Sequence, residues 1–241
     1  MRLIIIFFTL FATGASAATL DDLVAAYPDA LAGHTEDSLI WKDGTRMPVA
    51  TQPAAIGLEA MLRHGSILDQ LSMPFPEGMP VPPPEDDPGR IRNKDFFNKM
   101  YGDCHKGEVA PHLVSITWLP QSWGHRLQIT DVNGVAAQLD AISHELEALP
   151  PDIRRLTYPS AGTYNCRGVA DTGQTSMHGW GAAIDLNTKY SAYWMWQHTA
   201  PAIPSGFEAI VPIFEKHGFI WGGKWRHFDT MHFEYRPELL R

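Results

Sequence analysis

Ser176-Met-His178-Gly-Trp-Gly-Ala-Ala-Ile-Asp185 sets an imidazole and a carboxylate seven residues apart with two glycines between them. Asp229-Thr-Met-His232 supplies a second acid–imidazole pair near the C-terminus. These side chains suit zinc, which takes His nitrogen and Asp oxygen at about 2.0–2.2 Å, so two ligand atoms on one ion lie about 3–3.5 Å apart. Seven residues span about 10 Å of straight helix, and over about 20 Å of strand with the two side chains on opposite faces. Neither geometry lets His178 and Asp185 share an ion. The chain must fold back between them, and Gly179 and Gly181 permit that bend. Asp185 stands in an apolar run, where an uncompensated carboxylate is costly and a cation removes the cost. His232 supplies a third ligand and leaves a fourth position for water, the arrangement of catalytic zinc. Asp229, three residues earlier, is spaced to reach that water as general base and later to return the proton to a leaving amine.

Ser-x-His-x6-Asp, followed by Trp-Gly-Gly-x-Trp and Asp-x-x-His-Phe-Glu, resembles the zinc D-Ala-D-Ala carboxypeptidase / L-Ala-D-Glu endopeptidase family (VanY-like), part of a wider group with lysostaphin and the hedgehog signalling domain. The likeness runs at least from Gly162 to Pro237, and residues 87–103 also resemble secreted bacterial members with long N-terminal extensions. The resemblance implies zinc ligands at His178, Asp185 and His232 and a catalytic acid/base at Asp229, where many relatives carry Glu. It further implies that Arg167 steadies the substrate carbonyl as it becomes an oxyanion, sensible work for a planar cation. Ser176 either hydrogen-bonds near the site or is a turn residue; Trp221 and Trp225 either line a substrate groove or belong to the core. His227, in the loop of Asp229, either orients a ligand or is exposed. The implied substrate is a D-amino-acid-containing stem peptide of bacterial peptidoglycan, cut at its end or within it. A non-catalytic zinc- or wall-binding module is the alternative. A serine hydrolase lacks its Gly-x-Ser-x-Gly.

The elements that must hold these residues are mixed. Residues 112–119 and 126–130 read as strands, as do 182–186 and 231–235. Val135, Leu139, Ile142, Leu146 and Leu149 step by 4, 3, 4 and 3, one face of a helix. A second helix is expected over Phe207–Phe214, closed by Gly218, with Pro212 kinking it or marking its start. Without strict β-α-β alternation this predicts an α+β fold. The resemblance implies a small central antiparallel sheet with flanking helices around one zinc, of the hedgehog / D-Ala-D-Ala peptidase type. Residues 18–88 read as a mostly helical extension ending in a Pro-rich segment (74–88), extended and marking a boundary or a wrapping arm, before the catalytic region 89–241.

Of 241 residues, 44% are hydrophobic and 19% charged, which excludes a disordered polar chain. The net charge of −8 and the lack of any Lys/Arg run exclude nucleic acid as the main partner. Arg2, the apolar run 3–12 and Ala15-Ser16-Ala17 read as a signal peptide (1–17) that sends the chain to the periplasm or outside the cell. The run is half the length a membrane span needs, so no span is expected after cleavage. In an oxidising compartment Cys104 and Cys166 are expected to pair. The alternatives are two buried thiols or metal ligands, and a Cys-x-x-Cys or Cys/His cluster for zinc is missing.

Overall fold

The computed structural model describes residues 16–79, 86–197, 199 and 203–241. The signal-peptide reading falls almost wholly, and the middle of the Pro-rich segment entirely, outside the described residues.

The N-terminal extension departs from expectation: it is mixed, not mostly helical. Helix α1 (Leu20–Ala26) is started by a capping box in which Thr19 and Asp22 satisfy each other's backbone N–H. Strands β1 (Leu31–His34), β2 (Ser38–Trp41) and β3 (Arg46–Pro48) then form an antiparallel sheet. The helical spacing at 20–27 does not continue, because Gly33 and Gly44 break the run and Ser38-Leu-Ile-Trp41 alternates half-buried and buried residues, the period of a strand. Two short helices follow, α2 (Leu58–His64) and α3 (Ile67–Leu71).

Helix α4 (Lys94–Tyr101) buries Phe96, Phe97, Met100 and Tyr101. Phe96 meets Tyr27 and Trp41 of the extension at ring-centroid distances of 6.0 and 5.6 Å, so residues 18–75 share one apolar core with the rest of the described chain. Strands β4 (Leu113–Trp118) and β5 (His125–Thr130) form a hairpin. Helix α5 (Val135–Glu147) packs on β4, with Leu139, Ile142 and Leu146 fully buried as the spacing predicts. Pro150 ends that run, and Pro151 opens the single turn α6 (Pro151–Arg154).

Strands β6 (Ala183–Asp185), β7 (Phe219–Trp221) and β8 (His232–Tyr235) make the sheet that carries the site, antiparallel, with β8 in the centre. Helix α7 (Phe207–Lys216) covers it, Phe214 stacking on Phe233 at 3.9 Å between centroids. Pro212 lies inside α7, five residues past its start, and Gly218 follows its end at φ +82°. The architecture is thus mixed α/β with small antiparallel sheets and several helices. Among the described residues no helix is long and apolar enough to cross a membrane.

Cys104 and Cys166 are disulfide-bonded, 62 residues apart in sequence. The bond ties the loop carrying Arg167 to the end of α4. In the chain-entropy picture it contributes about 4 kcal/mol. The double Cys104→Ser/Cys166→Ser variant should therefore unfold in urea at a midpoint at least about 1 M lower. An unchanged midpoint would show that packing alone holds the loop.

Candidate metal centre and catalytic cleft

Strand register, more than local sequence, assembles the site. Asp185 ends β6 and His232 opens β8, and the two are directly paired across the sheet. His178 arrives on a 3₁₀ turn (Met177–Trp180) begun by Ser176, whose Oγ accepts from the His178 N–H. Between His178 and Asp185 the chain reverses at Gly181, φ +67°, where an added Cβ would lie 2.9 Å from Leu113 and 3.2 Å from the Thr130 nitrogen. The fold-back expected from the two glycines is therefore made at Gly181. Gly179 instead permits close packing under Thr175 and Cys104.

The result is a compact donor set. His178 Nε2 is 3.1 Å from Asp185 Oδ1 and 3.2 Å from His232 Nδ1, and His232 Nδ1 is 3.0 Å from the same Asp185 oxygen. These separations match what ligand bonds of about 2.0–2.2 Å to one tetrahedral ion require. The other ring nitrogens are occupied. His178 Nδ1 faces the Thr163 carbonyl, and His232 Nε2 lies 2.9 Å from Glu234 Oε2. In the neutral tautomers that donate to these acceptors, each imidazole would turn a lone pair into the centre, as metal-binding histidines do. Electrostatics agree. Burial disfavours a charged His232, yet hydrogen bonds with Asp185 and Glu234 push it up to about 9. Burial likewise opposes the Asp185 carboxylate, but the His178 and His232 side chains hold it far below the usual range. The cluster is built for positive charge, so the donor set fits zinc.

Asp229 lines the same cleft, and its Oδ1 is buried with no hydrogen-bond partner. Burial first, and the Asp185 charge second, push its carboxyl up to about 6, a useful value for a group that must take and return a proton near neutrality. Gly222 supports it: an added Cβ there would sit 2.6 Å from the Asp229 carbonyl oxygen. Arg167, exposed and 4.0 Å from Asp185 Oδ2, also lines the cleft. The cleft encloses about 310 Å³.

Of the two tryptophans weighed as groove residues, Trp221 is core. It is fully buried, stacks on Phe207 and donates Nε1 to the Thr230 carbonyl. Trp225 does line the cleft, its ring 5.5 Å from that of His232 and its Nε1 given to Pro88 O. Ser176 also lines the cleft, although its hydroxyl serves as a helix cap. His227 is held by Asp87, at 2.6 Å through Nδ1 and 2.8 Å through its backbone N–H.

The sequence reading missed the supports. Glu234 is fully buried, and Arg92 and Arg236 both reach its carboxylate. Burial opposes that charge, but Arg92 and His232 hold the carboxyl well below its ordinary range. Arg236 continues to Glu238 at 2.6 Å, and Glu238 accepts from the Tyr27 hydroxyl at 2.7 Å. A chain of polar contacts therefore runs from Tyr27, at the end of α1 in the extension, to His232. Period-2 alternation was the available signal, since His232 and Glu234 stand on one face of β8.

The sequence model of the D-alanyl-D-alanine carboxypeptidase family matches residues 170–235. The matched stretch holds Ser176, His178, Asp185, Trp221, Trp225, Asp229 and His232, and the VanY-like resemblance stands there. Arg167, the disulfide and the whole extension lie outside it. No curated protein and no solved structure matches the chain.

Proposed function

We propose that this chain is an exported zinc peptidase that hydrolyses D-amino-acid-containing bonds in bacterial peptidoglycan stem peptides. One observation carries the reading. Within the peptidase-like stretch, three donor atoms lie 3.0–3.2 Å apart beside an unpartnered buried carboxylate oxygen. Bound by His178, Asp185 and His232, zinc would polarise the scissile carbonyl and sharpen the nucleophilicity of water. Asp229 accepts the proton of the attacking water at its free Oδ1 and passes it to the leaving amine nitrogen. Arg167 places a guanidinium where the carbonyl oxygen gains negative charge. Trp225 and Met231 give the cleft part of its apolar lining. Export is supported by the sequence of residues 1–17 and by the disulfide, which suits an oxidising compartment. The partner is the stem peptide, with neither nucleic acid nor a membrane span after signal cleavage.

The test is hydrolysis of purified stem peptides by residues 18–241, with zinc, with chelator, and with His178→Ala. One equivalent of zinc, and cleavage that chelator and His178→Ala both abolish, is the expected result. Product masses then separate loss of terminal D-Ala from a cut inside the stem. Bound zinc without cleavage of any stem peptide would instead identify a binding module.

A further inference from the structure

His227 lines the cleft with Asp229 and His232 but is not among the three close donors. Its ring is nonetheless fixed. Nδ1 lies 2.6 Å from Asp87 Oδ2, and the backbone N–H of His227 donates to Asp87 Oδ1 at 2.8 Å. Trp194 meets the imidazole edge to face, 4.6 Å between centroids. The segment of Trp194 is itself anchored: its N–H donates to the Phe228 carbonyl at 2.9 Å, and Tyr193 bridges to Asp229. Asp87 is fully buried. Arg90 stands 3.6 Å from Asp87 Oδ2 and gives its shorter contact, 2.8 Å, to Asp171. His227 is therefore the close side-chain partner of Asp87.

A carboxylate offers only lone pairs, so the ring proton that faces Asp87 sits on Nδ1. In the neutral imidazole Nε2 then carries a lone pair. Among the described residues Nε2 has no hydrogen-bond partner, and the side chain keeps 22% of its surface exposed. An oriented acceptor thus borders the space that a substrate fills. An amide bond in that space has one polar group still without a partner. Its carbonyl oxygen is met by Arg167 and the metal, and Asp229 carries the proton. The N–H is left over. Its direction matters, because Asp229 can protonate the nitrogen only along the nitrogen's lone pair. Once the carbon is tetrahedral the nitrogen is pyramidal, and fixing the N–H fixes the lone pair. An acceptor two residues from Asp229 on the same loop is placed to do this.

We propose that His227, held by Asp87, is a further catalytic residue whose Nε2 accepts the N–H of the scissile amide and so turns the nitrogen's lone pair toward Asp229. The step needs no further reactant. Asp229 gives its proton to the nitrogen, the C–N bond breaks, and the amine leaves with its N–H still on Nε2. The proposal rests on the peptidase reading. It gives Asp87, outside the stretch that matches the peptidase family, a positioning role.

Paired substrates test this: a stem peptide, and its depsipeptide analogue with an ester oxygen in place of the scissile N–H. Single-turnover rates are compared, so that product release does not enter. His227→Asn keeps an amide N–H at the depth of Nδ1 for Asp87 and deletes Nε2. Zinc content and melting temperature check that it folds. It should lose about 10- to 100-fold with the amide and change less than about 3-fold with the ester. His227→Gln, whose amide oxygen reaches the place of Nε2, should recover part of the loss. Asp87→Asn can offer its own N–H to Nδ1 and move the ring proton to Nε2, so it should show the same amide-only loss. Equal slowing of amide and ester by His227→Asn, or no slowing of the amide, overturns the role and leaves the peptidase reading standing. Equal slowing of both by Asp87→Asn overturns the part given to Asp87. A wild-type chain that cleaves neither substrate refutes the peptidase reading, and this role with it.

Discussion

Asp229→Asn is expected to lower kcat by about 10²–10⁴ while leaving one zinc per chain, the loss typical when a positioned general base is removed. The argument is geometric. Asp229 is not among the mutually close donors His178, Asp185 and His232, so its amide should not cost metal. Its Oδ1 has no hydrogen-bond partner to lose. The carboxylate is also held against burial and against the Asp185 charge, so the neutral amide relieves a repulsion. The variant should melt at the wild-type temperature or above it. Metal analysis, thermal unfolding and stem-peptide kinetics on the same preparation decide the matter. Lost zinc or a lowered melting temperature would make Asp229 a structural residue. Wild-type kcat with zinc retained would place the proton transfer elsewhere.

How much of this was legible in the sequence depends on how local each feature is. Helix α5 could be read because its period is written in consecutive residues, and β4, β5 and β8 because they are β-branched or aromatic runs that punctuation ends. The three donors could be named because Gly181 and the acid in an apolar run are local oddities. Their union was not local. It depends on Asp185 pairing with His232 across 47 positions, a matter of register. The extension was misread because four-residue strands bury too little pattern to outweigh a helical run beside them. Strand β7 was missed for the same reason, with three fully buried residues and no alternation at all. Trp221 and Trp225 flank Gly222, Gly223 and Lys224, and nothing in the sequence distinguishes them. The difference lies in what each indole finds: Thr230 inside the core for one, Pro88 at the cleft wall for the other. Lys224 shows the same blindness, since it is fully buried, paired with Glu215 at 2.6 Å and donating to the Pro76 carbonyl at 2.7 Å.

Glu234→Gln should weaken zinc binding by about 10- to 100-fold, the usual cost of losing a carboxylate that orients a metal-binding histidine. Glu234 fixes which ring nitrogen of His232 carries the proton, so that Nδ1 meets His178 and Asp185. An amide presents a weaker acceptor and can offer its own N–H instead, which favours the wrong tautomer. The change also leaves Arg92 and Arg236 without their shared anion, and breaking a buried pair costs about 3–5 kcal/mol. Stability and metal affinity therefore fall together, and a second variant separates them. Tyr27→Phe removes the hydroxyl at the far end of the same network, a single hydrogen bond to Glu238 worth about 1 kcal/mol or somewhat more. It should lower stability while leaving zinc affinity within about 3-fold, because the Arg92–Glu234–His232 contacts stay in place. Competition with a chromophoric chelator gives both affinities, and urea unfolding of the metal-free chains gives both stabilities. Glu234→Gln binding zinc as tightly as wild type would show that the register of β6 and β8 alone suffices to orient His232. A drop in affinity for Tyr27→Phe equal to that for Glu234→Gln would show that the network acts through general stability and not through the tautomer.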